Sequence, residues 1–300
     1  MNYAIGIDLG GSSVKTVAIT LDGKTLTQST LNFDAEAKMD WAQKIREIVE
    51  QIQSEQKTAP THIGLSAPGL AARDGRSILH MPGRLQGLEG LDWTSFFKSP
   101  LPVPVLNDAH AALLGEAWLG AARGFQNVIM LTLGTGVGGA AIVDGRLLRG
   151  HIGRAGHLGH VSLDIDGPTD VCGTPGSLEV MVGNCTIGER THGMFQTTHD
   201  LVAAHVAGDP EASYFWLRSV RALACAIASF VNVLDPEAVI IGGGIARAGD
   251  SLFVPLRECV AEIEWRSAGY AVKVLPAALG EFAGACGAAR NAMQQGSAEE

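Results

Sequence analysis

Asp8 ends the apolar segment Tyr3 to Asp8, and Gly10-Gly11-Ser12-Ser13 follows it. Glycines in a turn let several backbone N–H groups converge on one point, which suits a phosphate. A carboxylate at the end of the preceding strand can hold Mg²⁺, directly or through water. Taken once, the pattern is equally an ordinary glycine hairpin with a surface aspartate. The chain carries it twice. IDLGGSSVKTVAITLDG, from Ile7, and LTLGTGVGGAAIVDG, from Leu131, both read as strand, Gly/Ser/Thr turn, strand, Asp-Gly turn. Two copies favour phosphate binding at both turns: Gly10, Gly11 and Ser12 in the first, Gly134, Thr135 and Gly136 in the second. Lys15 follows the first turn, where it either neutralises phosphate charge or faces outward as a plain strand lysine.

Asn107-Asp108 stands where a short strand hands over to a helix. Both residue types make good N-caps, and that is the plain reading. A helix N-terminus also favours the ionised carboxylate, and an ionised Asp can orient a hydroxyl and take its proton during phosphoryl transfer. The local sequence supports both. His151, His157 and His160 crowd into HIGRAGHLGH, with Asp170, Cys172 and Glu179 downstream. Their spacing matches no common structural zinc pattern. They are polar groups of the kind that hold substrate hydroxyls, or else scattered surface histidines. Gly242-Gly243-Gly244, after an apolar strand, admits a phosphate or a flat ring close to the backbone; a bare strand-to-helix turn is the alternative.

Two motif matches fail on context. Gly23-Lys24-Thr25 resembles the end of a P-loop but lies in a hairpin turn, with Ala18 where the first glycine belongs. Gly134-x-Gly136-x-x-Gly139 fits the dinucleotide fingerprint, yet a strand and an Asp-Gly turn follow it, not a helix.

The elements that must position these groups are legible in outline. Strands are expected over 3–8, 14–21, 62–67, 103–106, 128–133, 140–143, 238–241 and 272–275. Trp41, Ile45, Ile48, Val49 and Ile52 recur at helical spacing, predicting a helix over 39–55. Further helices are expected from Asp108, over 214–234 and over 281–294, and the stretch 70–102 reads mainly as loop. The repeat argues for two similar α/β domains: 1–112 plus 281–300, and 113–280.

Composition narrows the function. Of 300 residues, 46% are hydrophobic and the net charge is −9. An acidic chain without a basic run is a poor binder of nucleic acid or anionic membrane. The apolar run Ala222 to Leu234 is too short to span a bilayer. Five irregularly spaced cysteines and an N-terminus without a signal-peptide pattern point to a cytoplasmic, reduced protein.

GIDLGGSSVK, APG at 67–69, NDAHAALLGE, LGTGVGGAAIVDG, AGHLGH, CGTPGSLE, IIGGGIA and ALGEFAGACGAA occur in that order over nearly the whole chain. Together they resemble the ROK family of repressors and sugar kinases. The resemblance implies an actin-like ATPase (RNase H-like) α/β fold, with two α/β domains around a cleft, acting in homodimers. It implies ATP- and Mg²⁺-dependent phosphorylation of a sugar hydroxyl, with Asp108 as base and Asp8 on Mg²⁺. The Gly10–Ser12 and Gly134–Gly136 turns become phosphate loops, and Gly242–Gly244 the adenosine-side loop. Gly69, Asn107, His157, His160 and Glu179 join Asp108 around the sugar.

The sequence also departs from the family. His157 replaces a sugar-binding Glu, and Pro82-Gly83 stands where Pro-Asn is usual. Asp170 and Ser177 replace two of three zinc cysteines, so no structural zinc is expected; a site from His160, Cys172 and either Asp170 or His157 is the remaining alternative. These changes point away from glucose, because a mismatched buried polar group discriminates strongly. Two other readings stay open: a sugar sensor working through a protein partner, and a kinase of an unusual polyol. A repressor is not expected, since the first strand begins at Tyr3.

Overall fold

β1 (Tyr3–Leu9) is buried along almost its whole length. Its alternate residues serve opposite faces of a sheet, as the two-residue period of a strand requires. Tyr3, Ile5, Ile7 and Leu9 pack with Trp41, Ile45, Ile48 and Ile52 of α1 (Asp40–Gln56). Ala4 packs with Ala285, Ala289 and Met293 from a helix near the C-terminus. A sheet covered on both faces explains why the strand reads as an unbroken apolar run.

The computed structural model describes residues 2–81 and 83–296. It divides into two units. The first comprises the chain to Gly124, Leu147–Gly156, and the chain from Ala278; the second comprises Phe125–Arg146 and His157–Ala277.

In the first unit, β2 (Ser13–Thr20) and β3 (Thr25–Asn32) extend β1 antiparallel. β4 (His62–Ala67) joins β1 in parallel. A small ribbon of β5 (Leu70–Ala71) and β6 (Ile78–His80) and the short α2 (Trp93–Phe97) follow. β7 (Val105–Asn107) then pairs in parallel with β4 and leads directly into α3 (Asp108–Leu119). The sheet order is β3-β2-β1-β4-β7.

The second unit repeats the plan. β8 (Val128–Leu133) and β9 (Val137–Val143) pair antiparallel, and the short β10 (Arg146–Leu147), at the boundary of the unit, lies beside β9. α4 (Leu178–Val182), α5 (Ile187–Arg190), α6 (Thr198–Val206) and α7 (Pro210–Leu234) come next. β11 (Ala238–Gly242) pairs in parallel with β8, and after α8 (Asp250–Ile263), β12 (Lys273–Pro276) pairs in parallel with β11. The order β10-β9-β8-β11-β12 mirrors that of the first sheet. α9 (Ala283–Gly296) returns to the first unit.

α9 lies unusually close to its sheet and to α3. A Cβ on Gly6 would come within 1.8 Å of the Ala285 carbonyl oxygen, and one on Gly287 within 1.7 Å of that of Ala111. Glu116 of α3, fully buried, fixes the approach of this segment: its carboxylate accepts N–H bonds from Ala121, Ala278 and Leu279 at 2.7–3.1 Å.

Several elements differ from the sequence-based expectation. β3 was not foreseen: TLTQSTLN is an edge strand with no fully buried residue, so it lacks an apolar face. The 70–102 stretch is mainly loop, as expected, and carries the short β5, β6 and α2 within it. α9 begins at Ala283, because Gly280–Phe282 is a 3₁₀ turn. α7 is longer than its apolar run, at 25 residues, because Asp209 caps it and Pro210 opens it. By length and composition alone it is long enough to cross a bilayer. Trp216, Val220, Leu223 and Ile227 instead lie in the protein core, while Arg218 and Arg221 face solvent. α8 tolerates Pro255 because the Ser251 carbonyl, which Pro255 cannot serve, accepts the Trp216 indole N–H at 2.9 Å.

Candidate functional site

The carboxyl ends of β1, β4 and β7 bring the first unit's candidate residues to one edge of the sheet. Register places Asp8 opposite Ser66 on β4 and opposite Lys15 on β2. It also sets Ala67 beside Asn107, one residue before Asp108. Ligands bind at this end of parallel strands because the chain leaves them in loops and helix N-termini.

Asp8 Oδ1 accepts the Ser66 hydroxyl at 2.7 Å. Burial pushes its pKa up to about 6; the Ser66 bond opposes this, the charge of Asp108 adds to it and that of Lys15 subtracts. Asp108 itself is raised. Loss of hydration to the surrounding protein is the main cause, and hydrogen bonds from the Ala109 N–H and from Asn107 offset it only in part. The side chain nevertheless remains open to solvent. A carboxylate whose cost of ionisation is raised by burial and by a second carboxylate invites a cation. Asp8 keeps Oδ2 clear of the Ser66 bond, and oxygen donors suit Mg²⁺ held mainly by water.

Asn107 caps α3: its carboxamide oxygen accepts from Ala109 and His110 N–H groups at 3.0 and 3.4 Å. Its Nδ2 donates to the Gly69 carbonyl at 3.0 Å. Gly69 has φ +96°, and a Cβ there would meet the His80 carbonyl oxygen at 2.5 Å. The N-cap reading of Asn107 is thus correct geometrically, and its amide group also donates to the Asp108 carboxylate, which helps to aim it. In the first turn, the Gly10 N–H donates to the Ser13 carbonyl at 2.8 Å, and the Phe33 N–H to that of Ser12. Lys15 Nζ lies 3.6 Å from a Glu281 carboxylate oxygen, so part of its charge is matched. Sequence reasoning missed two neighbours. Ser66 has no motif and acquires meaning only through strand register. Arg84 places its guanidinium 3.5–3.7 Å from where a Cβ of Gly11 would sit. Gly83 beside it is solvent-exposed; Pro82 lies outside the described residues.

The second unit holds the other turns. The Gly134 and Thr135 carbonyls accept from the Asn184 and Cys185 N–H groups at 3.0 and 2.8 Å, fixing that turn from behind. Glu179 Oε2 accepts the Val137 N–H at 2.9 Å, and a Cβ on Gly136 would lie 2.1 Å from the same oxygen. Glu179 therefore braces the phosphate-type turn, a contact the sequence did not reveal. Gly243, at φ +87°, packs its backbone on Leu133, so the Gly242–Gly244 turn adjoins the start of the Gly134–Gly136 turn. Arg190 lies beneath. It donates to the Thr186 and Ser219 hydroxyls and to the Val182 and Gly183 carbonyls, at 2.6–3.3 Å. Burial lowers its pKa to about 10, which leaves it charged at neutral pH.

His157 and His160 flank a 3₁₀ turn, Leu158–His160, pressed against β9: a Cβ on Gly159 would lie 1.8 Å from the Val137 carbonyl oxygen. Burial, then the charge of His160, lowers the His157 pKa, so it is held as a neutral ring. His160 Nδ1 lies 2.8 Å from Asp170 Oδ2, and its Nε2 lies 3.6 Å from Cys172 Sγ. Burial raises the Asp170 pKa, but hydrogen bonds from His160, Thr174, Ser177 and Cys172 together outweigh it and hold the group below the usual carboxylate range.

Two five-stranded sheets of one topology, each with a glycine turn between its first two strands, define an actin-like ATPase fold. Within that class, the chain belongs to the ROK family, whose model matches residues 4–295. It is 35% identical to a glucokinase of Thermotoga maritima over 95% of both chains. It is similar to a ROK hexokinase structure from Thermus thermophilus (TM-score 0.87, 30% identity, 99% of each chain). It also resembles a ROK glucokinase from Streptomyces griseus solved with glucose and AMPPNP (TM-score 0.81, 26% identity, 98% of this chain and all of that one).

Proposed function

We propose that this carbohydrate kinase transfers the γ-phosphoryl group of ATP to a hydroxyl of a hexose-like substrate other than glucose. The observation that carries the reading is the carboxylate of Asp108 at the N-terminus of α3, raised in pKa yet open to solvent, with Asp8 charge-coupled to it. A raised pKa makes a carboxylate a better base, and a helix N-terminus keeps it aimed.

Asp108 accepts a hydrogen bond from the attacking hydroxyl and takes its proton as the O–P bond forms. The bond from the γ-phosphorus to the bridging oxygen breaks, and its electrons leave with ADP. Because the transition state is loose, orientation matters more than base strength. Asp8 would hold Mg²⁺, chiefly through water, and the ion would supply positive charge beside the phosphates. The Gly10–Ser12 and Gly134–Gly136 turns bind phosphate oxygens through N–H groups other than those of Gly10 and Gly134, which close the turns, and Lys15 and Arg84 add positive charge. Gly242–Gly244 admits the adenosine.

Around the sugar, this reading sets Asn107, His157, His160, Glu179 and the Gly69 turn. The neutral His157 ring can donate as well as accept, unlike a carboxylate, which supports a substrate other than glucose. The protein acts in the cytoplasm and as a homodimer in this reading. ADP release with Mg·ATP, measured across hexoses, N-acetylhexosamines, ketoses and polyols, tests it. Turnover on one hexose-type sugar above glucose is expected; no turnover on any sugar would remove the reading.

A further inference from the structure

The segment that follows His157 is irregular, with isolated bridges from Ser162 to Ser177 and from Thr169 to Pro175. Backbone bonds such as Leu163 N–H to the Gly176 carbonyl and Leu178 N–H to the Val161 carbonyl tie its ends. They do not orient the His160 ring, which side chains must fix. His160, Asp170 and Cys172 present ligand-type atoms within 4.8 Å of one another, where family resemblance sets a zinc. The bonding capacity of those atoms is already used.

The Asp170 side chain is 1% exposed. Its Oδ2 receives His160 Nδ1 at 2.8 Å, and its Oδ1 receives the Cys172 and Thr174 N–H groups at 2.9 and 3.0 Å. The Ser177 hydroxyl is a fourth donor. A carboxylate has about four lone-pair sites, so none is left for an ion. His160 Nδ1 is spent as well. Only His160 Nε2 and Cys172 Sγ remain, at a thiol–imidazole hydrogen-bond distance from each other. A closed structural zinc takes four ligands, usually cysteine and histidine. The residues present do not fit it.

We propose that this segment is held without a metal, and that Asp170 takes over the task an ion would have there, fixing the His160 ring. An ionised carboxylate can only accept, so Nδ1 carries the hydrogen and Nε2 is bare. Nε2 is then a pure acceptor. A thiol is a weak donor, so a hydroxyl displaces Cys172 from it. Asp170 thereby acts as a positioning residue for a substrate hydroxyl that must donate to His160. This last step rests on the sugar-kinase reading; the metal-free clasp does not.

The test uses the purified full chain. Metal content is measured by mass spectrometry, melting is followed with and without a strong zinc chelator, and ¹⁵N shifts report the His160 tautomer. Zinc far below one equivalent, an unchanged Tm with chelator, and a hydrogen on Nδ1 are expected. Asp170→Asn should lower Tm, mix the tautomers and raise the sugar KM about tenfold, with little change in the KM for ATP. A full equivalent of metal whose removal lowers Tm, or His160 found with its hydrogen on Nε2, overturns the proposal. Those wild-type readouts decide the matter even if Asp170→Asn does not fold. A metal-free chain with Nδ1–H His160 but no sugar turnover would sink the kinase reading and leave the clasp standing.

Discussion

The backbone of Gly284 stands directly against the carboxylate of Asp8: a Cβ at Gly284 would lie 2.7 Å from Asp8 Cγ and 2.9 Å from each oxygen. The first turn of α9 thus sets the position of the residue assigned to Mg²⁺, and its N-terminal dipole favours the ionised form. Gly284→Ala must move that carboxylate. Alanine is also the better helix former, so the fold should hold. We expect kcat/KM for Mg·ATP to fall about 10–100-fold with Tm nearly unchanged, because small displacements in a reacting site are costly. Unchanged kinetics would show that Asp8 does not need this placement.

Asp8 also predicts a pH dependence. Its folded pKa is raised to about 6 from 3.8, chiefly by burial. Folding therefore favours its protonated form. The associated stability is complete below pH 3.8 and lost as pH rises through about 6. Mg²⁺ needs the opposite form, so affinity should rise through the same window. Ser66→Ala removes a hydrogen bond to the charged form and should move the midpoint upward. Isothermal titration of Mg²⁺ with nucleotide, from about pH 5 to about pH 8, measures both; affinity flat with pH contradicts the assignment.

The duplicated architecture could be read from sequence because the same strand, turn, strand, Asp-Gly pattern recurs, and the two sheets have matching order. β3 could not be read, since an exposed edge strand has no apolar face. Among site groups, Asp8, Asp108 and the glycine turns announce themselves by residue type. Ser66, Arg84 and Arg190 do not, because their roles come from register and packing between distant segments. Asp170 was visible as a metal-ligand type, but only its hydrogen bonds identify it as the partner of His160.

Arg190 carries a half-buried charge whose hydrogen-bond partners are all neutral. Arg190→Met would leave the Val182 and Gly183 carbonyls and two hydroxyls without that donor. The cost should be about 2–4 kcal/mol, several degrees in Tm, since buried acceptors lose their partners. The Asn184 and Cys185 N–H groups that fix the Gly134–Thr135 turn adjoin Gly183, so the KM for ATP should rise while that for sugar changes little. Thermal melting and steady-state kinetics check the pair of effects. Equal rises in both KM values would indicate general loosening instead.

Arg84 is exposed, so its replacement should leave folding intact. If its guanidinium serves the phosphates at the Gly11 turn, Arg84→Ala should lower kcat/KM for Mg·ATP about tenfold or more. Added guanidinium should restore part of the activity. An unaffected Arg84→Ala enzyme would assign phosphate charge to Lys15 and Mg²⁺ alone.

Asp108 is the centre of the account, and Asp108→Asn tests it most directly. Asparagine preserves size and can still accept the Ala109 N–H, but it cannot take a proton. ADP release on the best sugar should be measured beside nucleotide and sugar binding. The account predicts kcat lower by about 10²–10⁴-fold with both ligands still bound. Wild-type turnover in Asp108→Asn would contradict it.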